Sequence, residues 1–463
     1  MDAGVVEDSF IDFLPHPRIV AIDNNPSDLD QIAKGLFNAG LPCVTMLYDI
    51  TQGLVKPDTL DPSMLRIVFL DLNLGDIENI GSSMGTLTAP ICEVLKILSP
   101  AGPYLLVFWT KHHSLVKDTM KMIAERGDTD VPLPVSYETL DKDLFTDASK
   151  VEELRKGIIK ALGRNYVFLA LLAWESEVEG AAVRTCNRLH SLVAARQGDG
   201  TSLNVVDLKD LLKQLAIAAW GKVHAKGNAA ASVTSGLLPL LGDHLDAITN
   251  NPAYSKIWDS ALSNGWNRGM PSMVTPAQMN AQCLVDLSCS DINCRGAWLE
   301  FIDDAKKPDG PVKSHLGQGI EDLTDEFINP DAAKDVENFR NKVSLGLLEC
   351  SAACDLAQNK APLRRYILCA RMPADFEKYR TWENPVRKKK HEAIFELEKV
   401  RIGSEDFDLL LDFRYTLSLP PDHPLTGPQS VKAAFRVRSQ VLAHITANFA
   451  FHTSRPGTFS FRP

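Results

Sequence analysis

The sequence lacks several features that would at once define a class of protein. It has no run of 18 or more apolar residues, which is about what a membrane-spanning helix needs, and no apolar leader follows the acidic start "MDAGVVEDSF". Its nine cysteines are irregularly spaced, unlike the disulfide frameworks of small secreted domains. No internal repeat or low-complexity tract is evident. These absences predict a cytoplasmic protein with free thiols and no membrane segment.

Metal motifs of the common structural kinds are also missing. Cys283, Cys289 and Cys294 are separated by six and five positions, which does not fit the Cys-x2-4-Cys pairs of structural zinc sites. The histidines of the helical middle region do not form a His-Glu-x-x-His pattern. We therefore expect these residues to serve packing rather than metal binding.

What the chain does have is length and unevenly distributed charge. Its 463 residues are 45% hydrophobic, enough for two or three domains with cores of their own. Residues 1–150 carry 22 acidic against 11 basic side chains, whereas the remainder is close to balanced. We predict three regions: a first domain at 16–162, a helical region at 163–330, and an α+β domain at 331–463 that serves output or interaction.

The first region alternates short apolar runs with amphipathic helical segments. The strands are predicted in "RIVAID", "CVTML", "RIVFLDL" and "YLLVFWT", with a weaker fifth strand in "LPVSYETLDK". Strands that alternate with helices indicate a doubly wound parallel sheet covered on both faces. In such sheets the functional groups gather beyond the carboxyl ends of the strands.

Polar side chains stand at three of those predicted strand ends. Asp23 ends the first strand, Asp71 comes at the end of the third, and Thr110 ends the fourth. Carboxylates that converge from different strands can share a hard cation such as Mg²⁺. One of them can then act as a nucleophile toward phosphorus while the metal neutralises the developing charge. Asp71 is the residue we predict for that role.

The stretches "RIVAIDNNPSDLDQIAKGLFNAG", "IVFLDLNLGD", "LLVFWTK" and "LDKDLF" together resemble the receiver domain of two-component response regulators. The resemblance covers roughly residues 16–162 and implies a five-stranded, flavodoxin-like fold. It also implies that a partner histidine kinase phosphorylates Asp71. The remaining roles implied by the resemblance are Mg²⁺ binding by Asp23, Asn24, Asp71 and the carbonyl of Asn73, contact of Thr110 with the phosphoryl group, and pairing of Lys142 with it.

The sequence departs from the family pattern at two places. Asn24 stands where the family usually has a second acid, which predicts weaker Mg²⁺ binding. Lys142 is followed by Asp143 instead of proline, and Lys111 is the alternative residue for the same role. We favour Lys142, because apolar residues stand on both sides of it in "LDKDLF". These departures support a second hypothesis, a pseudo-receiver that acts as a phosphorylation-independent adaptor in a multi-gene stress or defence system.

The remainder of the chain resembles no family that we can name. Residues 151–250 read as helices throughout, and the helix that begins near 151 is predicted to run straight into the following bundle. Residues 250–330 mix short helices with Pro and Gly. In the last third, "GLLEC", "YILCA", "AIFELEKV" and "FDLLLDFRYTLSLP" are predicted strands that could form a compact barrel, and the segment from "SVKAAFRVRS" onward is predicted as an amphipathic closing helix.

A polar segment between two of these strands is the C-terminal candidate site. It contains Cys354, Asp355 and Gln358, and a thiol nucleophile at Cys354 would need His444 or His452 from elsewhere in the chain. Because no catalytic signature surrounds the cysteine, we favour a structural or recognition loop over an enzyme.

Basic runs, above all "VRKKKHE" at 386–392, raise nucleic-acid binding as a weaker alternative. The net charge of −10 and the lack of a helix-turn-helix pattern do not favour it. We expect a histidine kinase or another signalling protein as the partner instead.

Overall fold

The computed structural model describes most of the chain. The described residues are 17–57, 60–77, 84–128, 130–142, 150–194, 205–263, 266, 269–329, 336–357, 362–380 and 393–454. The chain divides into two compact units, the first within Met1–Ser191 and Leu240–Trp266 and the second within Leu192–Pro239 and Asn267–Pro463.

The first unit is built on a mostly parallel sheet. Its strands are β1 (Ile19–Asp23), β2 (Val44–Asp49), β3 (Gly53–Leu54), β4 (Ile67–Leu70), β5 (Leu105–Trp109) and β6 (Ser136–Leu140). Their order is β3-β2-β1-β4-β5-β6, and only the short β3 is antiparallel to its neighbour. The sheet thus has six strands rather than the predicted five. Its parallel core alternates with helices, which is compatible with a flavodoxin-like fold.

Helices cover both faces of this sheet because the strand side chains alternate between two apolar clusters. Those helices are α1 (Pro26–Asn38), α2 (Met84–Leu98), α3 (His113–Glu125) and α4 (Val151–Gly163). Val20 and Ile22 pack with α2 and α3 on one face. Ile19 and Ala21 pack with α1 and α4 on the other. With apolar side chains on both faces, the strands β1, β4 and β5 are buried along their whole length.

The prediction that the helix from 151 continues into the bundle is wrong. α4 ends at Gly163, and α5 (Tyr166–Ala194) starts after a break at which the chain bends by 107°. Asn165 makes the break favourable, since its side chain accepts the backbone N–H of Phe168 and so satisfies a free donor at the new helix start. Within the described residues no single helix is long and apolar enough to cross a membrane, although α4 and α5 pass that test as a bent pair.

The stretch from 205 to 261 is mostly helical, in line with the helices that the sequence pattern predicts for 151–250. It contains α6 (Val205–Trp220), α7 (Lys222–Gly227), α8 (Ala229–Asp246) and α9 (Pro252–Ala261).

The second unit contains a curled antiparallel sheet of seven strands. They are β7 (Val285–Asp286), β8 (Ala297–Phe301), β9 (Ser344–Glu349), β10 (Arg364–Pro373), β11 (Ile394–Ile402), β12 (Glu405–Leu419) and β13 (Val431–Val437). Their order is β11-β12-β10-β9-β8-β13-β7, so β11 and β7 form the two edges of the sheet. The sheet is therefore open, and the prediction of a compact barrel is wrong. The helices of this region are α10 (Pro276–Leu284), α11 (Asp303–Lys306), α12 (Pro311–Leu316), α13 (Ile320–Asp325), α14 (Val336–Lys342), α15 (Ala353–Ala357) and α16 (Ser439–Thr453).

Three features of this sheet differ from the sequence-based expectations. The predicted closing helix is a strand in its first part, because β13 pairs with β8 and β7, and the helix begins only at Ser439. The sequence pattern does not predict β8, although all five of its residues are buried. Since β7 and β8 belong to this sheet, the predicted boundary at residue 331 falls inside the sheet. The four predicted strands in the last third are present as β9 to β12.

Candidate functional site

The predicted site residues of the first unit come together at one edge of its sheet. Asp23 is the last residue of β1, Asp71 directly follows β4, and Thr110 directly follows β5. Lys142 lies two residues beyond β6. In the sheet β1 lies between β2 and β4, and the strand order reverses between β1 and β4. Asp23 and Asp71 therefore flank the switch point at which sheets of this type bind ligands.

The ammonium group of Lys142 is the centre of the site. Its Nζ lies 3.0 Å from Oδ2 of Asp23, 3.0 Å from Oδ2 of Asp28 and 3.1 Å from Oδ1 of Asp71. It also lies 4.5 Å from the centre of the Trp109 ring, where the aromatic face adds a favourable cation–π contact. One cation is thus shared by three carboxylates, and the four formal charges sum to −2.

Sequence reasoning did not identify Asp28. The residue lies in the first turn of α1, where a carboxylate also interacts favourably with the helix N-terminus. An acidic residue at that position is common, so its presence alone does not indicate a second role. The available signal was spacing, because Asp28 lies in the first turn of the helix that directly follows the Asp23 loop.

Burial makes the shared charge costly. Asp23 is fully buried and Asp71 nearly so. Burial, with the charge of Asp71, raises the pKa of Asp23 from 3.8 to about 6 despite the nearby ammonium of Lys142. Burial likewise raises the pKa of Asp71, against the opposing effect of Lys142. Burial opposes the charge of Lys142 as well, but the attraction of Asp71 and Asp23 outweighs it and raises the pKa of Lys142. The charged form of Lys142 is stabilised by three carboxylates, whereas each carboxylate shares the single ammonium with the other two.

The loops that carry the two buried carboxylates are held by their own polar groups. Asp23 Oδ1 accepts the N–H of Asn25 at 2.8 Å, and the Asn25 side chain in turn caps α1 by accepting the N–H of Ser27. Asp71 Oδ2 accepts the N–H of Asn73 at 3.1 Å. These bonds favour the ionised carboxylates and fix the directions of their oxygens.

Asn24 and Asn73, both predicted near a metal, contact each other. The Asn24 amide donates to the backbone carbonyl of Asn73 over 3.4 Å, and the Asn73 side chain accepts the N–H of Ile77. The carbonyl that the receiver resemblance assigns to a metal thus already accepts an amide hydrogen.

Thr110 and the alternative lysine face the same cavity. The Thr110 side chain is buried, and its hydroxyl oxygen accepts the N–H of His112 at 3.1 Å. Lys111 is exposed and lines the cavity, whereas Lys142 makes the ion pairs. Oδ2 of Asp141, the residue directly before Lys142, lies 3.5 Å from Nε2 of His113. Asp143 lies outside the described residues.

The cavity above these side chains has a volume of about 420 Å³. Its lining is polar and consists of Asn24, Asn25, Pro26, Asp28, Asp71, Asn73, Asp76, Thr110, Lys111, His112 and Lys142. A space of this size and polarity can hold a small hydrated ion beside the Asp71 carboxylate.

The donor atoms suit Mg²⁺ in kind and charge. Asp23, Asp28 and Asp71 provide the carboxylate oxygens that the ion prefers, and the net charge of −2 matches a divalent cation. Among the described residues, no three His, Cys, Asp or Glu side chains are grouped so that they could hold a metal ion. The three carboxylates meet at the Lys142 ammonium instead, so a metal would compete with the lysine.

The C-terminal candidate residues lie in a different setting from the predicted loop. Cys354 and Asp355 belong to the short helix α15, and Asp355 is exposed. Gln358 and the basic run 386–392 lie outside the described residues. His444 packs against Phe395, and His452 packs against Phe413. Catalysis at Cys354 therefore gains no support.

Fold and site define the first unit as an α/β domain with an acid–lysine cluster at the switch point of its sheet. No known family model matches the chain, and no curated protein matches it either.

Proposed function

We propose that the first unit is a receiver-like switch that takes a phosphoryl group on Asp71. One observation carries this proposal: Asp71, Thr110 and Lys142, from the ends of three different strands, line one polar cavity of about 420 Å³. An acyl phosphate needs a carboxylate nucleophile, a hydroxyl partner and a cation for the new charge, and these three side chains supply them.

The proposed reaction moves one phosphoryl group between two proteins. A carboxylate oxygen of Asp71 attacks the phosphorus of a phosphohistidine on a partner kinase, and the P–N bond breaks. The electron pair of that bond stays on the leaving imidazole nitrogen, which takes up a proton from water. The product is an aspartyl phosphate, which adds negative charge and strong acceptor oxygens at the end of β4. Lys142 is already within ion-pair distance of Asp71 and can follow that charge.

Mg²⁺ is the cofactor we propose for this site. Its ligands would be the carboxylates of Asp23 and Asp71 and the carbonyl of Asn73, with Asn24 beside them, and Asp28 is added to the acidic set. When bound, the ion would neutralise negative charge on the transferred phosphoryl group. Asn24 provides an amide where a second carboxylate would bind more strongly, so we expect weak binding.

The decisive experiment measures phosphoryl uptake. The full chain is incubated with Mg²⁺ and acetyl phosphate and examined by intact-mass spectrometry. We expect one phosphoryl adduct on the wild type, and none on Asp71→Asn. Asp76→Asn is the matched control, because Asp76 is an exposed carboxylate in the same cavity, and it should keep the adduct. A folded wild type that remains unmodified would refute the switch.

Mg²⁺ binding should be visible in tryptophan fluorescence. The Trp109 ring lies under the Lys142 ammonium, so a cation that draws carboxylates away from Lys142 changes the surroundings of the indole. We expect a saturable change on Mg²⁺ titration of the wild type that is lost in Trp109→Phe. A titration curve that is identical in both proteins would contradict binding at this site.

A second candidate function is a phosphorylation-independent docking module. The observation in its favour is that Lys142 already pairs with all three carboxylates, and Asn24 already occupies the Asn73 carbonyl. If this function is the true one, Asp71→Asn retains the partners of the wild type in a pull-down. Under either function, the C-terminal sheet is the proposed output or interaction module.

A further inference from the structure

Two thiols are in contact in the loop between β7 and β8 of the second unit. Cys289 Sγ and Cys294 Sγ lie 3.0 Å apart, within hydrogen-bonding distance. The spacing of these cysteines does not fit a structural zinc motif, so their contact calls for another explanation. Contact between two sulfurs is the geometry that intramolecular oxidation requires.

The surrounding sheet holds the loop at both ends. Before the pair, β7 is paired with β13, and Asp286 accepts hydrogen bonds from the Ser288 hydroxyl at 2.6 Å and from Arg436 at 2.8 Å. After it, β8 is paired with both β13 and β9. Between the two thiols, Asn293 accepts a hydrogen bond from Arg364 at 2.8 Å. The two sulfurs are therefore kept together by contacts independent of the sulfurs.

We expect the two thiols to differ in reactivity. Both residues are only half-buried, so a small oxidant can reach them. Burial, together with the contact to Cys289, raises the pKa of Cys294 to about 12. Because the thiolate is the reactive form, Cys294 is held as a thiol, and Cys289 is the member expected to react first.

We propose that Cys289 and Cys294 form a reversible dithiol site that hydroperoxides oxidise to a disulfide. The Cys289 thiolate attacks the terminal peroxide oxygen, the O–O bond breaks, and a sulfenic acid and an alcohol form, or water when the oxidant is hydrogen peroxide. The Cys294 sulfur then attacks the sulfenic sulfur, and water leaves with the two remaining protons. Two thiols lose two electrons in total, and the peroxide gains them.

This site belongs to the second unit alone and does not depend on phosphorylation of Asp71. Its effect would fall on β7, an edge strand of the sheet, because the new bond closes the loop that directly follows that strand.

The test uses the reduced full chain treated with a small excess of hydrogen peroxide. After the remaining thiols are blocked with N-ethylmaleimide, the chain is digested and analysed by mass spectrometry. We expect the peptide that contains Cys289 and Cys294 to be two hydrogens lighter and to carry no maleimide on either of these residues, and dithiothreitol to restore their labelling. Because the bond is intramolecular, the yield should not change on dilution of the protein.

Serine variants assign the order of events. In Cys294→Ser, we expect Cys289 to accumulate as a sulfenic acid that dimedone traps; in Cys289→Ser, position 294 should not react with dimedone. Cys283→Ser is the control and should oxidise like the wild type, since Cys283 is an exposed thiol outside the pair. Full maleimide labelling of both cysteines after peroxide treatment of the wild type, or a bond from either one to Cys283, would overturn the proposal without bearing on Asp71.

Discussion

Lys142→Met is expected to lower the free energy of unfolding at pH 7 by on the order of 3–5 kcal/mol. The ammonium is the shared partner of Asp23, Asp28 and Asp71, and the first and last of these are almost fully buried. Methionine keeps most of the side-chain volume and removes the charge, so the carboxylates repel one another without compensation. Urea unfolding at several pH values measures the effect.

The pH dependence separates this electrostatic loss from a packing defect. The pKa of Asp23 is about 6, so its carboxyl takes up a proton as the pH falls from 7 to 4, and the difference between variant and wild type should shrink. Lys96→Met is the matched control, because Lys96 forms an exposed pair with Asp128 at 2.6 Å and should change little. A loss that is equally large at pH 4 and pH 7 would contradict the charge explanation.

The second large effect has the opposite sign, since Asp23→Asn is expected to raise the free energy of unfolding at pH 7 to 8 by about 3 kcal/mol. Burial and the Asp71 charge raise the pKa of Asp23 from 3.8 to about 6, so the folded state disfavours the ionised form. The protonated carboxyl therefore stabilises the fold fully below about pH 4, and this contribution is lost as the pH rises through 6. Asparagine has no charge to bury and can still accept the N–H of Asn25.

Stability measured between pH 4 and pH 8 tests this second prediction. The gain of Asp23→Asn should appear between pH 4 and pH 6 and then level off. Asp76→Asn, an exposed carboxyl in the same cavity, is the comparison and should follow the wild-type curve. If Asp23→Asn is less stable than the wild type at pH 7, ionised Asp23 stabilises the fold through Lys142, and its burial is the weaker of the two effects.

The two expected effects have one cause: the three carboxylates of the site carry more negative charge than the ammonium of Lys142 neutralises. Such an arrangement lowers stability, and the excess negative charge is what a bound cation would neutralise. A site kept only for stability would not need three carboxylates around one ammonium.

The elements of the first sheet were predictable where the apolar pattern was unambiguous. β1, β4 and β5 are buried on both faces, so their sequences are continuous apolar runs that end at Asp23, Asp71 and Thr110. The prediction of Lys142 as a site residue came from the receiver resemblance and from the apolar residues on both sides of it. The structure brings the lysine to Asp23 and Asp71, whereas the proposed chemistry stays a prediction.

Other features depended on contacts that a local pattern does not contain. The segment Val431–Val437 has the composition of a helix or a strand, and only its neighbours β8 and β7 decide for a strand. The end of α4 at Gly163 follows from Asn165, whose side chain bonds to the next helix. Asp28 lies in the first turn of α1, and only the fold brings Lys142 to it across 114 positions of sequence.

The sequence by itself determined where the buried strands of the first unit end and which polar groups stand there, because burial on both faces demands a continuous apolar run. Only the tertiary structure decided which of those groups share a charge. The ammonium of Lys142 could in principle pair with any nearby acid, and the parallel alignment of β1, β4 and β6 placed it among Asp23, Asp28 and Asp71.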